Sequence, residues 1–286
     1  MTQRGVVRRI DHVAIATDDV PRVFELLRDR LALPVMMSPT SLPPSFGYPT
    51  TAWLNLGGMP LEVLEPPPGT QLPARLEFGG IVFEPEPVEA AVAELERRGI
   101  GFTPPQRYDY PEGFDRGTPE VPTLALEVEP GSPHGTQFFL PGFVGDNALV
   151  VCYEWAYVSA AAMRAGLRRQ LDETPEGPLG IDATAEVVIG ATDLAAERDR
   201  WQALLDPVAE QEPGLWDLGD GPALRLVAHD RDAIVGLNLR VTDLERAAHY
   251  LKDHNMLDSS AAGELAVDPA ALDGLNVRLV GPDTGI

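Results

Sequence analysis

Cysteine and lysine are almost absent from the sequence. A single cysteine, Cys152, excludes an internal disulfide framework, so the fold must be held by its core. The one lysine, Lys252, stands close to the C-terminal end and makes Schiff-base chemistry a poor hypothesis. The first residues, MTQRGVVRRIDHVAI, lead directly into a strand pattern without a signal-peptide cleavage site. Together with a lone buried thiol, these features predict a cytoplasmic protein.

Long apolar runs and clusters of basic residues are also missing. No segment approaches the roughly 20 apolar residues that a membrane-spanning helix needs. The chain has 22 Lys and Arg against 44 Asp and Glu, a balance that does not suit binding to nucleic-acid phosphates. It contains no phosphate-binding glycine loop, CxxC pair or nucleotide-binding fingerprint. We therefore expect a small-molecule substrate or ligand, no nucleic acid, no membrane, and a monomer or homodimer.

A weak repeat occurs four times along the chain. Each copy reads as an apolar strand, a short acidic or proline turn and an amphipathic helix. The copies are IDHVAIATDDVPRVFELLRDRL, FGGIVFEPEPVEAAVAELERRGI, TAEVVIGATDLAAERDRWQALL and VGLNLRVTDLERAAHYLKDHNM. Aligned on the turn, one strand position is occupied by His12, Gly80, Glu186 and Gly236. Only the first copy keeps a histidine at this position.

The segments between the repeats predict further strands. TTAWLNLGG and MPLEVLEP read as two strands around a Gly-Gly turn, and equivalent segments follow the other copies. The pattern predicts an α+β fold of four βαβββ modules, paired into two domains with curved mixed sheets and outer helices. The predicted divisions are an N-terminal domain 1–157 (modules about 6–66 and 75–157), a linker helix and loop 158–180, and a degenerate C-terminal domain 181–286 (modules about 181–229 and 232–283).

These features resemble the vicinal oxygen chelate superfamily, which includes glyoxalase I, methylmalonyl-CoA epimerase, extradiol dioxygenases and bleomycin-resistance proteins. The resemblance is strongest in IDHVAIATDDVPRVFELLRDRLALPV and LEVLEP. It implies that paired modules form a cleft holding a divalent metal ion, bound by residues of their first and last strands. His12 stands at the first-strand ligand position, and Glu62 stands at the last-strand carboxylate position.

The resemblance thus implies that His12 and Glu62 are metal-binding and catalytic residues, with Zn, Mn, Fe, Co or Ni as suitable ions. A metal site usually has three or four protein ligands, and the other copies depart from the pattern. Copy two has Gly80 and Val150 or Val151, and copy four has Gly236 and Arg278. We consider His134, and Glu154 turned inward by a bulge, as candidates for the missing ligand. Copy three has Glu186 and Arg225, which we expect to form a charge pair in place of a metal site.

Aromatic residues near the predicted cleft would suit an apolar or aromatic ligand. The candidates are Trp53, Tyr108, Tyr110, Phe114 and Tyr153. The linker helix also carries Arg164, Arg168 and Arg169, which we expect on a solvent-facing side paired with nearby acids.

Three functional hypotheses remain open. The first is a divalent-metal-dependent lyase or isomerase acting on a small oxygenated metabolite. Extradiol ring cleavage is disfavoured, because its two-histidine, one-carboxylate triad is not visible. The second is a metal-free small-molecule binding or drug-sequestering protein of the bleomycin-resistance type. The third is a metal-free acid/base enzyme in which Glu62 orients His12.

Overall fold

A computed structural model of the chain describes residues 5–42, 49–109, 134–145, 148–155, 160–173 and 177–282. These residues form fifteen β-strands and five α-helices, and all the strands belong to one hydrogen-bonded mixed sheet. No helix in this part of the chain has the length and apolar character needed to cross a membrane.

The first part of the sheet comes from the segment around the first repeat. It contains β1 (Val7–Ala16), α1 (Val20–Leu31), β2 (Val35–Ser41), β3 (Thr50–Leu56) and β4 (Met59–Leu64). Strand β4 lies parallel to β1, and β3 pairs antiparallel with both β4 and β2. Helix α1 begins at the Asp19 cap, buries its apolar face and ends where Ala32 adopts a left-handed conformation. The predicted helix and hairpin are both present.

The second repeat builds the same arrangement. It contains β5 (Phe78–Pro85), α2 (Val88–Arg98), β6 (Gln106–Asp109), β7 (His134–Phe139) and β8 (Leu149–Trp155). Strand β8 lies parallel to β5, and β7 pairs with β8 and β6. Gly99, with φ at +69°, ends α2 as predicted. Cys152 of β8 is fully buried, and this burial raises the pKa of its thiol, so it serves the core.

The C-terminal half follows α3 (Ala160–Glu173) and repeats the pairing twice. The third copy contains β9 (Ile181–Ala191), α4 (Leu194–Leu205), β10 (Leu215–Trp216) and β11 (Ala223–Ala228). The fourth contains β12 (Ala233–Val241), α5 (Leu244–Asp253), β13 (Leu257–Ala261), β14 (Glu264–Val267), the 3-10 turn Pro269–Leu272 and β15 (Val277–Val280). The first and last strands of each copy again lie parallel.

The sheet runs continuously through both halves of the chain. Its central order is β10-β11-β9-β12-β5-β1-β4-β3-β2, and β5 meets β12 through the pair Phe78–Ile234. One hydrophobic core also spans the two halves, including Phe83 and Trp201. The predicted mixed α+β fold is therefore confirmed, whereas the predicted division into domains stays a prediction.

A β-bulge precedes the aligned position in every copy. The ladders between β1 and β5 and between β9 and β12 each contain register shifts that leave one residue unpaired. The unpaired residues directly before the aligned positions are Asp11, Gly79, Ala185 and Val235. A bulge bends its strand and redirects the neighbouring side chains. The four copies therefore share a local distortion that strand alternation alone does not predict.

The register of the parallel strands identifies the last-strand partner in each copy. Glu62 lies opposite Ala14, two residues after His12, and Val151 lies opposite Val82, two residues after Gly80. By the same count, Arg225 lies opposite Val188 and Arg278 lies opposite Asn238. Val151, not Val150, is thus the counterpart of Glu62.

Helix α3 is docked on the N-terminal part of the sheet. The side chain of Asn55 donates to the Leu167 carbonyl and to Gln170, each over 2.9 Å, and Gln170 donates to the Val35 carbonyl over 2.8 Å. Arg164 donates to Glu84 over 2.9 Å and is only 13% exposed. The expected solvent-facing side therefore holds for Arg168 and Arg169 but is wrong for Arg164.

Candidate functional site

His12 and Glu62 meet on one face of the sheet, across the parallel strands β1 and β4. The Nε2 atom of His12 lies 3.5 Å from Oε2 of Glu62. Both residues are buried, with 4% and 5% of their surface exposed. Two residues far apart in the sequence are thus brought together as expected.

Each member of the pair has a second partner that fixes its orientation. His12 Nδ1 lies 2.5 Å from Oδ1 of Asp11, and the Thr51 hydroxyl donates to Oε1 of Glu62 over 2.8 Å. Asp11 and Thr51 are themselves buried. Asp11 is the bulge residue, which explains how it contacts the ring of its own neighbour in the strand. The sequence interpretation missed both residues, although IDHV and the strand TTAWLNL contain them.

The partners of His12 control its charge. Burial opposes protonation of the ring, but hydrogen bonds to Asp11 and Glu62 and the charges of both carboxylates outweigh that effect and raise the His12 pKa to about 9. The site at neutral pH therefore contains an imidazolium between two acidic side chains.

The geometry of the pair fits two ligands of one metal ion. Ligands bound at about 2.1 Å in tetrahedral geometry lie about 3.4 Å apart, close to the observed separation of Nε2 and Oε2. The other polar atoms, Nδ1 and Oε1, contact Asp11 and Thr51, an arrangement that orients metal ligands in proteins. Within the described ranges, however, no group of three or more His, Cys, Asp or Glu side chains is arranged to hold a metal ion.

The two candidates for a further ligand lie on β7 and β8. Residues 151–155 of β8 pair with β7 without a register shift, so Glu154 faces the same side as Cys152, opposite to Val151. The bulge considered for Glu154 is not present in this ladder. His134 begins β7, which is separated from β1 by β8 and β5 in the order of the strands.

Among the aromatic candidates, Trp53 contacts the pair. Its ring meets His12 edge to face, with centroids 4.8 Å apart. Tyr153 lies on β8, on the same face of that strand as Val151. Tyr108 lies on β6 and hydrogen-bonds to Gln106 and Gln137. Tyr110 and Phe114 lie outside the described residues.

In the third copy, an ion pair occupies the place that corresponds to His12 and Glu62. Glu186, 3% exposed, accepts hydrogen bonds from Nη2 and Nε of Arg225 over 2.6 and 2.8 Å and from Asn238 over 2.5 Å. The charge pair expected from the repeat is present. In the fourth copy, Arg278 pairs with Glu264 at the surface.

The described cavities lie apart from His12 and Glu62. The largest, about 960 Å³, lies between α3, the β3–β4 turn and the start of β9. Two others, of about 850 and 660 Å³, also exclude the pair.

Solved structures resemble this chain over nearly its whole length. A mutant of homoprotocatechuate 2,3-dioxygenase from Brevibacterium fuscum matches 96% of this chain and 72% of its own, with TM-score 0.56 and 10% identity. The same enzyme in complex with 3,4-dihydroxyphenylacetate gives TM-score 0.57 over 96% and 80% of the two chains, at 10% identity. A hypothetical protein from Staphylococcus aureus gives TM-score 0.57 over 96% and 99%, at 11% identity.

At such low sequence identity, these similarities show only the fold. No protein-family model matches the sequence, and no curated protein matches it either. The strand order, the repeated parallel pairing and the structural matches agree, and they show that the chain has the mixed α+β fold of the vicinal oxygen chelate superfamily.

Proposed function

We propose that this chain is an enzyme of the glyoxalase type, a divalent-metal-dependent lyase or isomerase acting on a small oxygenated molecule. The ion, Zn, Mn, Fe, Co or Ni, would be held by His12 Nε2 and Glu62 Oε2, and its binding would displace the proton from the His12 ring. The observation that carries the proposal is the 3.5 Å separation of these two atoms, combined with the outer partners Asp11 and Thr51. With only two protein ligands, water and substrate oxygens would complete the ion's coordination.

The residues around the pair have separate roles in this proposal. A bound divalent ion would polarise adjacent oxygens of the substrate and lower the cost of negative charge on them. Asp11 keeps the His12 ring oriented with Nε2 toward Glu62. Thr51 holds Oε1 of Glu62, so Oε2 is the atom that would alternate between binding the ion and accepting a substrate proton. Trp53 covers the edge of His12 and helps to keep water away.

Metal binding to matched variants tests the proposal. We expect wild-type protein to bind one Mn²⁺, Co²⁺, Ni²⁺ or Zn²⁺ per chain, measured by calorimetry after chelator treatment. His12→Gln and Glu62→Gln should weaken binding by at least about 100-fold, because each removes a direct ligand. His249→Gln is the control, since His249 is exposed on α5. No binding by wild type, or equal binding by all variants, would contradict the proposal.

A metal-free acid/base enzyme is the second candidate. It is favoured by the position of His12 between Asp11 and Glu62, which occupy both ring nitrogens and stabilise the protonated ring. Such a group can donate a proton to a substrate oxygen while the Glu62 carboxylate takes a proton from a substrate carbon, and the Glu62 carboxyl can then return that proton to His12. Turnover that persists in a chelator and is lost in His12→Gln would favour this candidate.

A metal-free binding protein is the third candidate, favoured by the second copy, where Gly80 and Val151 offer no ligand. Neither metal binding nor turnover, together with tight binding of a small molecule, would favour it.

The raised His12 pKa also predicts how stability depends on pH. Its folded pKa of about 9 exceeds the ordinary value of 6.5. The stabilisation is therefore fully present below pH 6.5 and is lost as pH rises to about 9, a change of about 3 kcal/mol. We expect the free energy of unfolding in urea, measured with chelator present, to fall more steeply over this range for wild type than for His12→Gln. If the free energy of unfolding depends on pH in the same way for wild type and His12→Gln, the pKa of His12 is not raised by Asp11 and Glu62.

A further inference from the structure

Three arginine side chains surround one carboxylate of the C-terminal half. The Asp220 carboxylate lies 2.9 Å from Nη1 of Arg9 and 3.2 Å from Nε of Arg164, and it accepts a hydrogen bond from Arg168. Arg9 belongs to β1, the other two belong to α3, and Asp220 lies in the loop 217–222 before β11. We call Arg9, Arg164 and Arg168 the arginine triad.

The triad carries more positive charge than its acidic partners neutralise. Besides Asp220, it contacts Glu84, which lies 2.9 Å from Arg9 Nε and 2.9 Å from Arg164 Nη1. Three guanidinium groups thus share two carboxylates. The neighbouring Arg8 and Glu86 pair with each other and add no net charge. In a chain of formal net charge −22, this cluster of three arginines and two carboxylates has one excess positive charge.

Two members of the triad also have unused hydrogen-bonding capacity. The side chains of Arg9 and Arg164 are only 18% and 13% exposed. Their Nε–H groups are buried and make no hydrogen bond to any described residue, although each lies near a carboxylate oxygen. A guanidinium presents its five N–H donors in a planar fork that matches an oxyanion. Asp220 therefore leaves this donor set incompletely satisfied.

The Asp220 side chain is more exposed than those of Arg9 and Arg164 and less exposed than that of Arg168. It is 46% exposed, and Asp220 stands between Gly219 and Gly221 in the loop 217–222. Gly219 has φ at +85°, and a Cβ added there would meet nothing within 4 Å. Gly219 donates to Asp217, and Gly221 donates to Gly219, so the described contacts of this turn are largely internal. Leu218 of the same loop is packed in the core, so displacement of the Asp220 carboxylate involves its own side chain and the Gly219–Gly221 turn rather than the whole loop.

Space is available on both sides of the triad. Arg164, Arg168 and Asp220 line the cavity of about 960 Å³, and Arg9 and Asp220 line the cavity of about 850 Å³. A small molecule can thus approach the guanidinium groups from solvent. Arg9 lies three residues before His12 in β1, and the unpaired bulge residue Asp11 between them places both side chains on the same face of the strand.

We propose that the arginine triad is a binding site for a small oxyanion, a carboxylate or phosphate group, and that Asp220 occupies this site as an internal competitor. An anionic ligand displaces the Asp220 carboxylate and takes over its contacts with Arg9, Arg164 and Arg168. This inference does not depend on a metal ion at His12 and Glu62, because it is tested by binding alone.

Inorganic phosphate is the first probe, followed through the shift of the melting temperature at constant ionic strength. We expect Asp220→Asn to bind phosphate at least about tenfold more tightly than wild type, because a competing negative charge is removed. Adding Arg164→Gln to Asp220→Asn should abolish the gain. Asp217→Asn is the matched control, since Asp217 lies in the same loop and contacts Gly219 and Gln211, not the triad. Succinate in a parallel titration distinguishes a carboxylate site from a phosphate site.

Phosphate and succinate binding that is no tighter in Asp220→Asn than in wild type overturns the proposal and leaves the triad as an ion-pair link between the halves. If Asp220→Asn does not fold, wild type and Arg164→Gln are compared at high concentrations of each anion. A larger shift for wild type supports the site, and equal shifts overturn it.

Discussion

Replacing Glu186 by glutamine is expected to lower the free energy of unfolding by about 3 kcal/mol, the lower end of the range for breaking a buried ion pair. Glu186 is 3% exposed and receives both Arg225 hydrogen bonds on one oxygen. Its loss would leave the half-buried Arg225 guanidinium without its main partner. We expect the lower end of that range because Arg225 is 29% exposed and retains its ion pair with Glu212, over 2.7 Å, in the variant.

The double variant Glu186→Leu with Arg225→Met should be less destabilised than Glu186→Gln, because apolar residues of similar size leave no unpaired charge. Urea unfolding of both variants measures the difference. Glu264→Gln is a matched control, because Glu264 pairs with Arg278, the counterpart of Arg225 in the fourth copy, but both are exposed. It should cost less than about 1 kcal/mol. Equal losses in the single and double variants would show that the pair is not a compensated buried charge.

The difference between the copies at the aligned position could be predicted from the sequence. The repeat could be aligned on its turn, and the alignment placed His12, Gly80, Glu186 and Gly236 at one structural position. The resemblance to the vicinal oxygen chelate superfamily implied that first-strand and last-strand residues meet, and His12 with Glu62 and Glu186 with Arg225 do so. Local patterns also sufficed for the helices, because caps and apolar spacing are encoded within one segment.

The partner of His12 could not be predicted in the same way. Strict strand alternation places Asp11 on the face opposite to His12, and only the bulge in the ladder with β5 brings their side chains together. That bulge depends on pairing with residues about 70 positions away. For Glu154, by contrast, strict alternation holds. Because the ladder between β7 and β8 is regular, Glu154 lies on the face of β8 opposite to Val151.

The arginine triad could not be predicted from local sequence patterns either. Its members and Asp220 come from a strand, a helix and a loop that are distant in sequence. The charge pattern of α3 alone predicts a solvated face, and it does not show that Arg164 turns toward Glu84. Only the docking of α3 on the sheet decides which of its arginines are removed from water.

Restoring the missing ligands of the second copy is expected to have the largest effect on metal binding. Gly80 and Val151 occupy the positions of His12 and Glu62 in the register of β5 and β8. We expect Gly80→His with Val151→Glu to raise metal affinity by at least about 100-fold, because the site then offers the three or four protein ligands of tight sites.

The space at Gly80 permits this change. A Cβ there would lie 3.4 Å from Cβ of Ala14 and 3.7 Å from the Leu149 carbonyl, so the first side-chain atom is accommodated with little movement. Calorimetric titration with Zn²⁺ and Ni²⁺ measures the gain, and each single substitution shows the contribution of one ligand. Adding His12→Gln should remove most of the gain, since the new ligands need the old pair. A gain that survives His12→Gln would mean that the new side chains bind metal by themselves and that the two copies do not face one common site.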